Sequence, residues 1–177
     1  YAARWLMANI PDKVELTLVH SEFRNGNFMI SPDGIEAVLD WEEAHIGDPM
    51  RDFGWLCTNS WRYGGSGPVG GFGEYEDLFR GYEDESGKVI DKDRVHFWEV
   101  FGAFWWAVVS LGLANQIRGT GTPSVERAVI GRRTSEAQID CVNLIIPGPL
   151  ESQPEATATV TSDLPGTEEL VGIVSDF

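Results

Sequence analysis

Positive charge is what this 177-residue sequence has least of: 13 Lys and Arg stand against 28 Asp and Glu, for a formal charge of −15. Nucleic-acid backbones and anionic bilayers are gripped through clusters of Lys and Arg. No such cluster stands out, so the composition argues against nucleic-acid and membrane partners and favours a neutral or cationic small molecule. Cysteine is nearly absent as well. Cys57 and Cys141 are far apart and lack metal-site spacing, which fits two reduced thiols in a cytoplasmic protein rather than a disulfide framework. There is no charged start followed by an apolar stretch and a small-residue cleavage site, so no signal peptide is expected. His45 and His96 have no partner at ligand spacing. The charge-free run from Val100 to Ala114 falls short of the roughly 20 residues of a membrane-crossing helix, which makes it a core helix. No internal repeat is found.

What the sequence does have is concentrated between residues 18 and 52. Two β-prone runs, Asn27 to Ile30 and Ile35 to Leu39, flank Ser31-Pro32-Asp33-Gly34, and Pro-Asp-Gly between apolar runs predicts a turn, hence a hairpin. Antiparallel closure brings Asn27 beside Asp40, an amide oxygen facing a carboxylate. Hard divalent cations, Mg²⁺ above all, take such oxygen pairs and complete their shell with water and substrate phosphates. Glu22 sits five positions before Asn27, in a tight loop after the apolar run Val14 to Val19, where it can accept a proton from a bound hydroxyl. An acid, an Asn five positions on, a hairpin and an Asp follow the logic of phosphoryl transfer: a base for the acceptor and two ligands for the metal.

The run His20-Ser21-Glu22-Phe23-Arg24-Asn25-Gly26-Asn27, then Asp40-Trp41-Glu42, then Gly47-Asp48-Pro49-Met50-Arg51-Asp52 resembles the aminoglycoside phosphotransferase and choline kinase family. That family's pattern is His-Gly-Asp-x4-Asn, Asp-Trp/Phe-Glu/Asp and Gly-Asp-Pro. The flavour is similar to the branch of kinase-like domains fused to acyl-CoA dehydrogenases. The resemblance implies Glu22 at the catalytic-base position, His20 orienting the loop, and Asn27 and Asp40 as ligands of Mg²⁺ and thereby of ATP or GTP. It implies a small-molecule hydroxyl as acceptor. Two positions depart from the pattern. Glu22 replaces Asp, and an extra methylene moves a carboxylate by about 1 Å, a displacement that can cost on the order of a hundredfold in rate. Ser21 replaces Gly, which matters if that position needs positive φ. A non-catalytic kinase-like binding module, or remnant, is the alternative these departures raise; a scaffold with merely solvated acids is a third.

Along the rest of the chain, Tyr1 to Asn9 is helix-like without a capping residue before it. Asp48 and Pro49 start a helix expected to reach about Arg62, with Asp52 in its first turn; Asp48 and Asp52 are expected to support the site from behind. Gly65-Ser66-Gly67-Pro68-Val69-Gly70 matches a dinucleotide fingerprint by letter only, because it follows a helical run and contains proline; residues 64–73 are expected to be a mobile loop. Glu74 to Ser86 reads as an acidic helix stopped by Gly87. Asp91 caps a long helix to about Arg118, and Thr122-Pro123 begins another that runs through Arg132 and Arg133 to about Ile146. From Pro147 onward Pro, Ser, Thr and acids continue without one Lys or Arg, the composition of a linker or disordered tail, with a short amphipathic stretch from Thr167 to Phe177. The expected architecture is a mainly helical α+β domain over residues 1–146 followed by a tail over 147–177. The resemblance implies the carboxy-terminal lobe of a protein-kinase-like fold, with the nucleotide-gripping amino-terminal lobe, or another adjoining domain, outside this chain.

Overall fold

Asp91 opens the helix on which most of the other elements pack. In the computed structural model, which describes residues 1–12, 14–118 and 124–146, helix α4 spans Lys92–Arg118, with the Arg94 N–H donating to Asp91 Oδ1 at 3.1 Å. By length and composition Lys92–Asn115 is long and apolar enough to cross a membrane, which corrects the shorter span read from the sequence. In this fold one part of its apolar surface goes against α1 (Ala2–Ala8), α2 (Met50–Cys57), α5 (Val125–Arg132) and α6 (Thr134–Ile145), while Trp105, Val108 and Leu111 stay about half exposed. A helix that is apolar on several sides is one surrounded by others, and Val95, Val100, Ala103 and Ser110 are fully buried along it. Gly54 lets α2 come close: a Cβ there would stand 2.5 Å from the Trp98 carbonyl carbon.

Ahead of α2 lie two small antiparallel pairs. Strand β1 (Thr17–Val19) pairs with β4 (His45–Gly47), and β2 (Phe28–Ser31) pairs with β3 (Gly34–Val38). The β2–β3 hairpin turns at Pro32-Asp33, as the turn chemistry predicts, with a register shift after Met29. The β1–β4 pair is not announced by any local pattern. It closes a loop over residues 20–44, so that the turn from His20 to Asn27 and the hairpin are held on one base.

Three further sequence expectations need correction. Helix α2 stops at Cys57 rather than near Arg62. Thr58 leaves the helical region at ψ 129° and turns its hydroxyl back to the Gly54 carbonyl at 3.0 Å, while Arg62 Nη2 donates to the Cys57 carbonyl at 2.9 Å. A cation on the last carbonyls is a favourable helix end. The helix expected to continue to Ile146 is two helices, interrupted at Arg133; Ser124 caps the first by accepting from the Arg127 N–H. Thr122, Pro123 and the tail from residue 147 lie outside the described residues. The glycine-dense stretch is tied down, not loose: Gly67 N–H donates to Gly71 O, Val69 N–H to Gly73 O and Gly70 N–H to Leu56 O, with Val69 buried among Leu56 and Cys57. Helix α3 (Tyr75–Ser86) ends as expected, at Gly87 with φ +66°. Both cysteines are free and buried.

Inside the core, Glu99 of α4 accepts hydrogen bonds from the Tyr75 hydroxyl at 2.9 and 3.1 Å and from Arg62 at 3.3 Å. It is 4 % exposed. Burial pushes its carboxyl up to about 7, against the Tyr75 hydrogen bond and the Arg62 charge. A raised carboxyl means that the folded state holds a proton the unfolded chain has released, so this group's stabilising contribution is complete below about 4.5 and is lost as pH rises to about 7. Glu99→Gln removes the titration. Its stability relative to the native protein, from denaturant melts at pH 5 and pH 8, is expected to rise by about 3 kcal/mol between the two; an unchanged difference would refute the assignment.

Candidate functional site

The site is assembled by helix starts. Asp48 Oδ1 accepts the Met50 N–H at 3.0 Å, and its carboxylate also pairs with Arg94 and accepts from Trp98 Nε1 at 2.8 Å. Asp48 thereby caps α2 and locks it to α4. One turn later Asp52 faces the other way: its two oxygens accept the backbone N–H groups of His20 and Ser21, each at 2.8 Å. Burial raises the Asp52 carboxyl above its ordinary range, against those two hydrogen bonds, which favour the ionised form.

The loop so held has an unusual backbone. Ser21 sits at φ +73°, the left-handed region that costs a non-glycine residue on the order of 1–2 kcal/mol. Its hydroxyl is 3.0 Å from His45 Nδ1. His20 is buried; its Nδ1 accepts the Glu22 N–H at 3.1 Å, and its ring meets Trp41 edge-on at 4.5 Å. Asn27 is buried too, and its Nδ2 donates to the Glu22 carbonyl at 2.8 Å. Both neighbours of Glu22 in the motif therefore hold its main chain. The Glu22 carboxylate itself accepts from Arg24 Nε at 3.1 Å.

The hairpin carries the other oxygen donor. The Leu39 N–H donates to the Asn27 carbonyl at 2.8 Å, extending the β2–β3 ladder, so Asp40 follows directly on the residue opposite Asn27. Asp40 is exposed, with φ +71°. With Nδ2 committed to Glu22, the Asn27 side chain has its oxygen left to offer, and Asp40 offers a carboxylate. Among the described residues no three His, Cys, Asp or Glu side chains gather into a metal cage. Two oxygen ligands are what a cation that keeps waters and substrate phosphates requires.

Sequence reasoning missed the wall beside Glu22. A crevice of about 10 Å³ is lined by Ser21, Glu22, Arg51, Trp55, Trp98, Phe101 and Trp105. It shares Arg51, Phe101 and Trp105 with a cleft of about 530 Å³ rimmed by Glu42, Glu43, Ala44 and His45. A signal was present: Arg51 and Trp55 are four apart on α2, and Trp98, Phe101 and Trp105 recur at i, i+3, i+7 on α4, one face of each helix. Read by itself, the aromatic stretch of α4 implies packing alone. Asn25, also unforeseen, ties the loop to the glycine stretch through Nδ2 to the Gly70 carbonyl at 2.7 Å.

The Ser21 backbone can be tested apart from its hydroxyl. Ser21→Ala loses the His45 contact and keeps the left-handed strain; Ser21→Gly loses both. Thermal or denaturant unfolding is expected to find the Gly variant about 1 kcal/mol more stable than the Ala variant, and equal stabilities would mean that the strain is not felt.

Known proteins resemble the chain in three ways. The profile of the phosphotransferase enzyme family matches residues 1–98. Acyl-CoA dehydrogenase family member 10 of Mus musculus is 41% identical over 56 residues, covering 30% of this chain and 5% of that protein, and acyl-CoA dehydrogenase family member 11 of Homo sapiens is 43% identical over 53 residues, covering 28% and 7%. A crystal structure of an aminoglycoside phosphotransferase-like protein from Ralstonia eutropha JMP134 superposes with a TM-score of 0.64 at 24% identity, over 81% of this chain and 47% of that one. The chain thus spans about half of that solved protein and a small part of the two relatives. The kinase-like fold is shared, and, with the family profile covering 98 of 177 residues, the chain belongs to the phosphotransferase enzyme family.

Proposed function

We propose that this chain is the carboxy-terminal, larger lobe of an ATP- and Mg²⁺-dependent kinase that phosphorylates the hydroxyl of a small molecule. The observation that carries the reading is the convergence on Glu22: Asn27 and His20 hold its main chain from two sides, and Asp52 holds the two residues before it. Asn27 and Asp40, on neighbouring positions of the hairpin, are the residues that would hold the metal and, through it, the nucleotide phosphates. Bound Mg²⁺-ATP would supply the phosphoryl group and neutralise its developing charge. Glu22 takes the proton of the acceptor hydroxyl on a carboxylate oxygen. His20 keeps the Glu22 amide in place through Nδ1, and the aromatic side chains of α4 exclude water from the inner crevice.

A second reading is favoured by one contact. Arg24 occupies an oxygen of Glu22, and an oxygen already accepting from a guanidinium is not free to take the proton of an acceptor hydroxyl. That contact favours a kinase-like module that binds without turnover. If that is so, Glu22→Asp together with Ser21→Gly in a two-lobed protein would create phosphotransfer where the native residues have none.

The metal assignment is tested by calorimetric titration of Mg²⁺-ATP into the native chain and into Asp40→Ala. Binding is expected for the native chain and at least tenfold weaker binding for the variant. Equal affinities would refute the role of Asp40, and no heat from either protein would count against nucleotide binding by this lobe alone.

A further inference from the structure

We infer that the small molecule bound beside Glu22 carries an oxyanion, a carboxylate or a phosphate, which pairs with the Arg51 guanidinium and the Trp55 indole N–H. That this molecule accepts a phosphoryl group rests on the phosphotransferase reading; the anion site itself does not.

Arg51 lies half-buried on α2, its guanidinium over the rings of Trp98 at 5.6 Å and Phe101 at 5.5 Å. Among the described residues it makes no ion pair within 4.0 Å. Asp52, Glu22 and Glu43 act on it only through space, while burial lowers its pKa from the ordinary value. A guanidinium held by its faces keeps its N–H edge for a planar oxyanion, which it binds through two parallel hydrogen bonds. One turn along the same helix, Trp55 is 6 % exposed and its Nε1 is buried without a hydrogen-bond partner. Trp61 and Trp106 also bury an unpartnered Nε1; what sets Trp55 apart is that it lines the crevice beside Arg51. Arg51 and Trp55 both line the crevice that also contains Glu22.

The volumes agree with this assignment. A crevice of about 10 Å³ admits about one water-sized group, the size of a single oxyanion oxygen, and the adjoining cleft of about 530 Å³ is in the range of small-molecule sites. A ligand with its oxyanion at Arg51 has its body in the cleft against the half-exposed Trp105 and its hydroxyl near Glu22. A cationic ligand fits the same walls badly. The faces of Trp98 and Phe101, which would receive an ammonium, already hold Arg51, which repels it. The formal charge of −15 attracts cations from a distance, but exposed charges are screened beyond about 8 Å at physiological salt; inside the crevice Arg51 stands against one carboxylate, Glu22, which already accepts from Arg24. Glu42 and Glu43 line the outer cleft, so the anion belongs at its inner end.

The test is calorimetric titration of the 177-residue chain, without metal or nucleotide, with four probes that share a small polar body: glycerate, glycerol 3-phosphate, glycerol and ethanolamine. Glycerate or glycerol 3-phosphate is expected to bind at least tenfold more tightly than glycerol, with ethanolamine weakest, and the stronger of the two anions identifies carboxylate or phosphate as the natural group. Arg51→Met is expected to weaken the preferred anion at least tenfold, Arg51→Lys to retain part of the binding, and Trp55→Phe, which keeps a ring and removes the N–H, to weaken it about threefold. The inference is overturned if ethanolamine binds better than both anions, if neither anion binds better than glycerol, or if folded Arg51→Met and Arg51→Lys proteins bind the anions as well as the native chain. Because no Mg²⁺-ATP is present, failure here leaves the Asp40→Ala titration standing, and failure there leaves this site standing.

Discussion

Two oxygens of one carboxylate hold the candidate site together. Asp52 accepts the His20 and Ser21 amides, and hydrogen bonds to a charged group contribute roughly 1.5–3 kcal/mol each. That exceeds the roughly 1–2 kcal/mol that a left-handed serine costs, so the strained turn at Ser21 is held by its partner rather than by its own preference. Asp48, four residues earlier, makes the same kind of commitment toward α4 through Arg94 and Trp98. The first turn of α2 is therefore a junction: one acid fixes the helix in the core and the other fixes the loop on the helix. Displacing either acid would move Glu22 relative to the hairpin, because Asp52 ties the loop to α2 by hydrogen bonds where Phe23 ties it by packing alone.

Electrostatics in this protein act on two scales. The excess of acids makes the molecule repel anions at long range, yet three acids at the inner end of the site are already assigned: Asp48 to Arg94, Asp52 to two amides, Glu22 to Arg24. Arg51 is left as a partly desolvated cation on aromatic faces. In the core the balance falls differently. Glu99 is surrounded by a tyrosine hydroxyl and one side of Arg62, which satisfy its oxygens but do not outweigh the cost of burying its charge. Two acids in one folding unit thus serve opposite ends: Asp52 accepts two amides that favour its ionised form, while burial pushes the Glu99 carboxyl up to about 7.

The shared kinase-like architecture explains why such short segments suffice. Strands of three to five residues are marginal alone, and here the hairpin rests on α2 through Phe28. Phe23 and Phe28, meeting edge to face at 4.7 Å, pack the loop and the hairpin onto Leu56, Cys57 and Val69. The clamped glycine stretch supplies the other side of that small core, so the backbone freedom of its glycines goes into close chain approach rather than motion.

Local chemistry was legible in the sequence. Asp48-Pro49 and Asp91 opened helices and Gly87 closed one, because caps and left-handed stops depend on the residues at the helix end alone. Pro32-Asp33-Gly34 produced its hairpin for the same reason, and the spacing from Glu22 to Asn27 and Asp40 singled out the candidate site. Tertiary structure decided what depends on partners remote in the chain. Three residues of β1 mean nothing without β4; α2 ends at Thr58 because Arg62 folds back onto its last carbonyls; and no pattern within residues 64–73 announces that Leu56 and Asn25 will hold them. The Arg51 wall belongs to the same class: its two helical stripes can be read separately, but only the close approach of α2 and α4 at Gly54 makes them one surface. A sequence specifies what each segment prefers by itself, while the surfaces that bind are created where segments meet.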